Sequence, residues 1–421
     1  MSKTKRIEVI GFGNVGAGVV GLLHEKGIPG LQLARVVVAD IDKKRPIELP
    51  VGYLSTDWKA AVADPKIDIV AELIGGIEPA KSIQLEALKA GKDVVTANKK
   101  LLAKDGEIIF RTAAELKRRI GFRASFVGGH SLIHELGLAG TGAKKFRRIY
   151  AILNGTSNYI LSSMSGRELA FAEALAEAQA KGYAEADPSD DIDGRDTESK
   201  IRILLSLLSN SYCAAGGFPV EGIRNVSLQD IQYADELGYA FKLVGVIEQK
   251  DGVFHVAVHP ALVPKMSLLG ALQGAYNGIE MEDEYGTVSG LVSPGAGAYP
   301  TADAVVKDLL DIAEGRTMPM PTSDARIKLG STDDVSRRYY LRFSVEDQAG
   351  VLARITDIFW KHSISIAAVI QKEAISEGSV PVVITTHFAR EGDLQAAIKK
   401  VDGLEVVKAP TRIIRILSAD T

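Results

Sequence analysis

Residues 6–18 read RIEVIGFGNVGAG, and this stretch decides the fold of the first third of the chain. A strand pattern rich in Ile and Val enters a glycine turn, and a helical pattern of apolar residues follows it. Three glycines at these spacings allow a tight turn, a close backbone approach to a pyrophosphate and close helix packing. The stretch predicts a dinucleotide-binding turn rather than a chance one, with the phosphates at the helix N-terminus. The candidate cofactor contacts are Gly11, Phe12, Gly13, Asn14, Val15 and Gly16.

The next strand pattern, residues 33–39, ends in Asp40, where a ribose-binding acid is expected. Asp40 would accept hydrogen bonds from an unmodified ribose and repel a 2′-phosphate. Lys43, Lys44 and Arg45 follow closely enough to neutralise such a phosphate. The acid favours NAD, and the basic run leaves NADP open.

The alternation of elements continues with a strand, a helix and a strand at residues 67–76, 80–91 and 93–99. This βαβαβ order predicts a parallel, doubly wound sheet of the Rossmann type. Ligands of such sheets gather at the carboxyl ends of the strands, where Thr96 and Lys99 fall. We therefore expect Thr96 to contact the cofactor and Lys99 to lie near the nicotinamide. The alternative is that Lys99 and Lys100 are surface lysines that end a strand.

A second informative stretch, residues 182–200, reads GYAEADPSDDIDGRDTESK. Pro188 and Gly194 keep at least its first part out of a helix. The apolar spacing behind it predicts a helix with Asp196 near its start and Lys200 one turn inside, on the same face. Carboxylates beside one lysine suit a substrate that carries an ammonium group and a hydroxyl. The alternative is a solvated acidic loop before an ordinary helix, with an aspartate as its cap.

The composition is that of a globular protein, with 421 residues, 46% hydrophobic, 24% charged and a formal net charge of -3. About three domains are expected at this length, and the charge balance argues against nucleic acid or an anionic membrane as the main partner. The single cysteine, Cys213, excludes an internal disulfide and fits a reducing compartment. The N-terminus has no apolar signal region, and no stretch is long enough to span a bilayer. We expect a cytoplasmic protein.

The middle of the chain predicts an α+β domain. Residues 147–161 indicate a strand, a turn capped by Asn154 and Thr156, and then a helix. Residues 253–263 alternate like a strand, which we expect to end at His259-Pro260 with the histidine facing solvent or an interface.

The predicted domains follow from these patterns. A nucleotide-binding domain spans 1–129 and is completed by a helix within 300–318, and a substrate-binding and dimerisation domain spans 130–299. A linker at 319–338 holds few apolar positions. Residues 339–421 form a third domain whose βαββαβ order predicts a ferredoxin-like fold.

Six segments occur in one order along the chain and together carry a family resemblance. They are GFGNVG (11–16), ELIGG (72–76), VVTANKK (94–100), ILNGTSNYIL (152–161), GYAEADPSDDIDG (182–194) and GAGAYPTADAVVKDL (295–309). With these segments the chain resembles the homoserine dehydrogenases. The resemblance implies NAD(P)-dependent interconversion of L-homoserine and L-aspartate 4-semialdehyde, on the route to threonine and methionine.

The resemblance also implies roles for individual residues. Lys200 would be the proton donor and acceptor, with Lys99 as its partner near the nicotinamide. Oxidation at a C–OH carbon needs a base, and a free lysine is protonated near neutral pH unless a second cation or burial lowers its pKa. The implied substrate contacts are Glu185, Asp196, Tyr183 and Asp191, and the further cofactor contacts are Gly182 and Gly297.

One segment departs from the family pattern. Where the family has a Glu that binds a monovalent cation together with neighbouring carbonyls, this chain has Arg123. Either the arginine supplies its own positive charge in place of the ion, or the ion site is lost, so we expect no bound metal. His130 and His134 have the spacing of metal ligands, yet nothing else in the sequence completes a site.

The C-terminal domain resembles an ACT domain, a module that commonly binds an amino acid. The matching residues are Asp347, Gly350, Val351 and Leu352, at the loop into the first helix. The resemblance makes threonine the first candidate effector, and the alternative is a dimerising appendage without a ligand. The family's substrate domain pairs with another subunit, so we expect at least a homodimer. The competing functions are a dehydrogenase of another amino acid semialdehyde and a catalytically silent amino-acid sensor.

Overall fold

The structure is a computed structural model that describes residues 4–125, 146–214, 216–295, 298–316, 320–321, 325–372 and 379–417. It divides into two compact units. The first unit comprises Met1–Phe146, Glu198–Gly217 and Glu282–Ile327. The second unit comprises Arg147–Thr197, Phe218–Met281 and Lys328–Thr421. No helix within the described ranges is both long and apolar enough to cross a membrane.

The first unit is built on a parallel sheet whose strands are ordered β3-β2-β1-β4-β5-β6. The strands are β1 Lys5–Ile10, β2 Leu31–Val37, β3 Leu54–Ser55, β4 Ile69–Glu72, β5 Asp93–Thr96 and β6 Ile120–Gly121. The intervening helices are α1 Asn14–Gly21, α2 Trp58–Ala63, α3 Ala80–Lys89 and α4 Lys99–Glu115, and a π-helical turn, Leu22–Lys26, follows α1. The strand order reverses at β1, as in doubly wound dinucleotide-binding folds, so the predicted Rossmann-type sheet is confirmed.

The core of this unit forms between the sheet and its helices. Branched side chains of β1, β2 and β4, such as Val9, Val36 and Ile69, are fully buried there. A later helix, α10 (Ala298–Ala313), adds Val305 and Leu309 to the same cluster. Each such side chain contributes about 1.5–3 kcal/mol when removed from water. Residues almost two hundred positions after α4 therefore complete the core of the nucleotide-binding unit.

The predicted strand at 93–99 is shorter in the structure. Strand β5 ends at Thr96, and the Asn98 side chain accepts a hydrogen bond of 3.1 Å from the Leu101 amide. Asn98 is thus the N-cap of α4. Its side chain supplies a hydrogen-bond acceptor to an amide in the first turn that would otherwise have none within the helix. Lys99 is the first residue of a helix rather than the last residue of a strand.

Residues 146–294 hold the strands and helices of the middle of the chain. The strands are β7 Phe146–Ile152, β8 Tyr239–Lys250, β9 Val253–Pro264, β10 Tyr276–Asp283 and β11 Val288–Pro294. The helices are α5 Gly155–Arg167, α6 Phe171–Ala180, α7 Ser189–Ile192, α8 Arg195–Ser209 and α9 Leu228–Glu236. The predicted strand, Asn154 cap and helix at 147–161 are confirmed, but Thr156 lies inside the helix and its hydroxyl donates to the Tyr183 carbonyl at 2.7 Å.

The predicted end of the strand at His259-Pro260 is wrong, because β9 continues to Pro264. Strand β8, its antiparallel partner, pairs with it as far as Pro264. On the other edge of β9, the C-terminal strand Val407–Ile416 pairs with it from Ala261 onward. Pro260 therefore lies just outside that second ladder, where its missing N–H is tolerated. His259 is buried, not at a surface, and burial lowers its pKa well below the ordinary value.

The C-terminal domain has the predicted βαββαβ order. Its elements are β12 Ser336–Val345, α11 Val351–Lys361, β13 Ile366–Gln371, β14 Val380–Thr386, the short β15 Ala389–Arg390, α12 Glu391–Val401 and β16 Val407–Ile416. Strand β16 also pairs in parallel with β9, through Arg415 opposite Ala261 and Ile416 opposite Leu262. One sheet of the second unit thus runs β10-β7-β8-β9-β16-β12-β14-β13.

Candidate active site

The glycine turn between β1 and α1 has the geometry that a phosphate-binding turn requires. Gly11 has φ +109°, and a Cβ there would lie 2.6 Å from the Leu73 carbonyl oxygen. A Cβ on Gly16 would lie 2.1 Å from the Gly11 carbonyl oxygen, so both positions need glycine. At Gly13, in contrast, no atom in the described part of the chain lies within 4 Å of an added Cβ. The turn is tight at Gly11 and Gly16 and open at Gly13, where a phosphate could approach the backbone.

The acid after β2 lies beside a basic side chain. Asp40 is exposed, and its carboxylate accepts a hydrogen bond of 2.9 Å from the Asp42 amide. The Arg45 guanidinium donates to backbone carbonyls of the same loop, including Lys43 at 2.6 Å, and its carbon lies 5.6 Å from the centre of the Phe12 ring. An acid for a plain ribose and a cation for a 2′-phosphate are therefore both present on this loop.

The carboxyl ends of β4 and β5 are joined by a buried polar network. The Thr96 hydroxyl donates to Glu72 at 2.8 Å, and the Gln84 amide donates to both side chains. The Thr96 carbonyl accepts from the Ser125 hydroxyl at 3.0 Å. The Thr96 side chain is thus used inside the protein, where it fixes the strand ends beneath Asn98 and Lys99.

The two lysines implicated by the sequence lie in the first turns of neighbouring helices. Lys99 is half-buried at the start of α4, whereas Lys100 is exposed. Lys200 lies one turn inside α8 and is only 7% exposed. The two helices pack together one turn later, where Leu102 of α4 and Ile203 of α8 line one small cavity of about 10 Å³. Both lysines are therefore in the turns that precede this contact, in a setting that restricts water around Lys200.

Asn154, the N-cap of α5, holds two carboxylates of the acidic stretch. Its side-chain amide donates to Asp191 at 2.7 Å and to Asp196 at 2.9 Å. The Ser157 hydroxyl donates to the Asp191 carbonyl at 2.9 Å. Asp196 is 6% exposed and stands one turn before Lys200 on α8, as the spacing predicts. Two carboxylates are thus oriented by one neutral donor, which suits the recognition of a cationic group.

The rest of the acidic stretch is more open. Glu185 is exposed, and its backbone carbonyl accepts from the Gln179 amide at 3.1 Å. The Tyr183 ring stacks on Tyr159 with centroids 4.6 Å apart, and its carbonyl accepts from the Thr156 hydroxyl. Gly182 is exposed and has φ +75°. Gly297, the other glycine expected to approach the cofactor, lies outside the described residues.

Arg123 is committed to an ion-pair cluster inside the first unit. It is 4% exposed, its backbone amide donates to Asp308 at 2.7 Å, and its guanidinium lies 3.3 Å from Asp308 and 2.7 Å from Asp311, both on α10. Burial raises the pKa of Asp308 to about 7, against the effect of Arg123. A buried guanidinium donates only, so Arg123 does not fit a site for a monovalent cation. His130 and His134 lie outside the described residues.

The turn into α11 places the expected effector residues. Gly350 has φ +90° and is the N-cap of the helix, Val351 is buried as its first residue, and Leu352 is half-buried beside it. Asp347 is exposed in the preceding loop. Among the residues that the structure describes, no group of three His, Cys, Asp or Glu side chains is placed to hold a metal ion.

Sequence reasoning found Asn154 only as a helix cap and missed its hold on Asp191 and Asp196. Those partners lie 37 and 42 residues further along the chain, so local patterns carry no signal for the contact. The same holds for Asp308 and Asp311 as partners of Arg123.

Three family models match the chain in sequence order. They describe the NAD-binding domain of homoserine dehydrogenase at residues 11–123, homoserine dehydrogenase at 132–310, and the ACT domain at 339–406.

Full-length relatives and solved structures also match. The homoserine dehydrogenase of Synechocystis sp. is 37% identical over 435 residues, covering 99% of this chain and 100% of the relative. The crystal structure of a homoserine dehydrogenase from Thiobacillus denitrificans superimposes with a TM-score of 0.91 at 34% identity, covering 100% of both chains. That of S. aureus gives a TM-score of 0.78 at 29% identity, covering 99% of both chains.

Proposed function

The chain belongs to the homoserine dehydrogenase family, and from that premise we propose that Lys200 and Lys99 handle the proton of the reaction while Asp191, Asp196, Glu185 and Tyr183 bind the substrate. The enzyme is an oxidoreductase that interconverts L-homoserine and L-aspartate 4-semialdehyde with NAD or NADP. One observation carries the proposed site: the Asn154 side-chain amide donates hydrogen bonds to both Asp191 and Asp196. Asp196 lies one helical turn before the buried Lys200.

Lys200 is the proposed proton carrier at the substrate hydroxyl. When homoserine is oxidised, the Lys200 amine takes the hydroxyl proton, and in the reverse direction its ammonium form donates to the developing alkoxide. The nicotinamide, when bound, accepts or supplies the hydride. Lys200 is 7% exposed, so bulk water has little access to its amine. Lys99, half-buried at the start of helix α4, is the proposed partner of Lys200 near the nicotinamide.

The carboxylates serve the other end of the substrate. Homoserine carries an ammonium group, and ionised Asp191 and Asp196 offer it charge-assisted acceptors. Because Asn154 donates to both, the two carboxylates are oriented before substrate arrives and lose little freedom on binding. Glu185 and Tyr183 extend this acceptor surface in the preceding, more exposed part of the stretch.

Asp196→Asn tests the substrate assignment. The amide keeps the size of the side chain and removes its charge, so we expect the KM for homoserine to rise at least thirtyfold, about 2 kcal/mol of lost binding. The KM for the cofactor should stay within twofold. Initial rates of nicotinamide reduction measure both constants. Asp187→Asn is the matched control, because exposed Asp187 forms its hydrogen bonds among the described residues to Ser189, two positions along the chain. An unchanged homoserine KM in Asp196→Asn would contradict the assignment.

For the cofactor we propose contacts from Gly11, Gly13, Gly16, Asp40 and the flanking turn residues Phe12, Asn14 and Val15. The open space at Gly13 and the exposed Asp40 and Arg45 support this placement. Thr96 supports the site from beneath through Glu72, and Gly182 and Gly297 are proposed to approach the cofactor from other segments.

The C-terminal ACT domain is proposed to bind an amino acid at the turn that contains Asp347, Gly350, Val351 and Leu352, with threonine as the first effector to test. The N-terminus of α11, opened by the positive φ of Gly350, supplies backbone amides that suit a carboxylate. Strand β13 has exposed apolar residues such as Val369, which supports a homodimer or larger homo-oligomer. The single, buried cysteine fits a cytoplasmic location.

A further inference from the structure

A short segment of the second unit closes the acidic stretch from one side. Residues 219–226, here called the bridging segment, read PVEGIRNV. The Ile223 amide donates to the Ile192 carbonyl at 2.7 Å. A Cβ on Gly222 would lie 2.1 Å from that same carbonyl oxygen and 2.5 Å from the Asp193 Cα. The backbone at Gly222 is therefore in direct contact with the backbone of Ile192 and Asp193. Any side chain at position 222 must displace the turn formed by 192–194.

Further contacts hold the same turn. Gly194 has φ +80°, and a Cβ there would lie 3.3 Å from a methyl carbon of Val220. The Arg224 guanidinium donates to Asp193 at 3.0 Å and to the Ser189 hydroxyl at 3.1 Å. This pair is half exposed, so its charge adds little and the backbone packing dominates. The turn lies between Asp191 and Asp196, so its position sets the separation of the two carboxylates that Asn154 holds.

The other side of the bridging segment contacts the last strand of the ACT domain. Arg415 of β16 lies 3.5 Å from Glu221, and Arg412 donates to the Asn225 carbonyl. Arg415 is itself fixed by two hydrogen bonds, of 3.0 and 2.5 Å, to Glu391 at the start of α12. Glu391 is buried, so this end of the contact belongs to the interior of the ACT domain.

We propose that the bridging segment positions the substrate carboxylates and that strand β16 of the ACT domain steadies the segment, whose backbone also pairs with β9 through the Glu221 amide and the Val258 carbonyl at 2.7 Å. Gly222 is then a positioning residue for homoserine binding. Arg412 and Arg415 act on the same site through their contacts to the bridging segment. The inference rests on the proposed substrate role of Asp191 and Asp196. It assigns the C-terminal domain an influence on homoserine affinity, with cofactor affinity left unchanged.

Gly222→Ala in the full chain is the first test. The added methyl displaces the 192–194 turn, so we expect the KM for homoserine to rise at least tenfold while the KM for the cofactor stays within twofold. Gly166→Ala is the matched control, since a Cβ at Gly166 in α5 meets no atom of the described residues within 4 Å. Equal homoserine KM values in the two variants would overturn the positioning role of Gly222.

A double variant tests the contact from the ACT side and does not depend on how Gly222→Ala folds. Glu221→Gln combined with Arg412→Gln removes both side-chain contacts to β16 and leaves the 192–194 turn untouched. We expect the homoserine KM to rise three- to tenfold with kcat and the cofactor KM within twofold. An unchanged homoserine KM, or an equal rise of both KM values, would overturn the proposal.

Asp196→Asn, measured beside these variants, distinguishes a failure of the proposed substrate role from a failure of the proposed positioning role. If Asp196→Asn raises the homoserine KM and the segment variants do not, the positioning inference is wrong and the substrate site stands. If Asp196→Asn is also silent, the proposed substrate role falls and the inference falls with it.

Discussion

Lys242 shows how one residue can tie stability to pH in this protein. It lies in β8, is 1% exposed, and its ammonium donates to the Asn158 side-chain oxygen at 2.9 Å and to the Leu272 carbonyl. Burial lowers its pKa to about 8. Asn158 stands one turn after Asn154 on α5, so the contact also steadies the helix whose N-cap holds Asp191 and Asp196.

The sign of the resulting pH dependence follows from this shift. The folded-state pKa lies below the unfolded value of 10.5. Between pH 8 and 10.5 the unfolded chain therefore binds more protons, and stability contributed by this group rises with pH, by about 3 kcal/mol in total. Urea unfolding of wild type and Lys242→Met between pH 8 and 10.5 measures this change in the free energy of unfolding. We expect the variant to lack the rise, and parallel curves would show that Lys242 does not titrate as described.

Sequence patterns placed some of the proposed site residues on the correct elements and missed the tertiary contacts of others. Asp196 and Lys200 were placed correctly because helical periodicity fixes both on one face. The choice of Lys99 over Lys100 agrees with their half-buried and exposed positions, although Lys99 lies on a helix and not on a strand. The hold of Asn154 on the carboxylates depends on tertiary contacts and has no local signature.

At the scale of elements, the Arg123 cluster links the turn after β6 to α10. Asp308 is 0% exposed, and its partners are the guanidinium and backbone amide of Arg123. A Cβ on Gly121 would lie 2.5 Å from the Asp308 Cβ, so the two elements are in close contact. The cluster therefore fixes the helix that completes the nucleotide-binding core.

Arg123→Met tests this link. It leaves Asp308 buried without its cation, so we expect a loss of about 3 kcal/mol of unfolding free energy at pH 8. The loss should be smaller at pH 6, because protonated Asp308 tolerates burial. Denaturant unfolding at the two pH values measures it. Arg119→Met, which removes a partly exposed pair with Asp93, is the control and should cost no more than about 1 kcal/mol. Equal losses in both variants would contradict the account.

Most elements were predictable, and the errors have physical causes. Alternating and helical periodicities located the strands and helices of the Rossmann-type sheet and the βαββαβ domain. The end of β5 was missed because Asn98 caps a helix there, and the end of β9 was missed because Pro260 lies outside the β16 ladder. Both depend on neighbours that the local sequence does not reveal.

At the scale of the molecule, the ACT domain is part of the second unit's sheet and not a separable appendage. Strand β16 pairs with β9, and the Tyr340 hydroxyl donates to Asp230 at 3.0 Å while Arg342 forms two hydrogen bonds to the same carboxylate. Asp230, on α9, is 1% exposed. The sequence showed a third domain but not this attachment, because a two-residue parallel pairing between distant strands leaves no pattern.

Deletion of residues 339–421 should therefore not yield an unregulated enzyme. The deletion exposes the edge of β9 and removes Tyr340 and Arg342, whose side chains hold and cover Asp230. We expect a lower melting temperature, aggregation and loss of homoserine turnover, measured by thermal unfolding, size-exclusion chromatography and initial rates. A soluble truncated chain with wild-type kcat and melting temperature would show that the attachment is dispensable.

The central claim is that Lys200 carries the proton of homoserine oxidation, and Lys200→Ala tests it most directly. Initial rates of nicotinamide reduction with L-homoserine should fall at least a thousandfold in kcat, about 4 kcal/mol of barrier, while cofactor affinity, followed by binding fluorescence, stays unchanged. Lys100→Ala, at an exposed lysine, serves as the control and should keep the wild-type rate. A Lys200→Ala rate within tenfold of wild type would contradict the claim and assign the proton to another group.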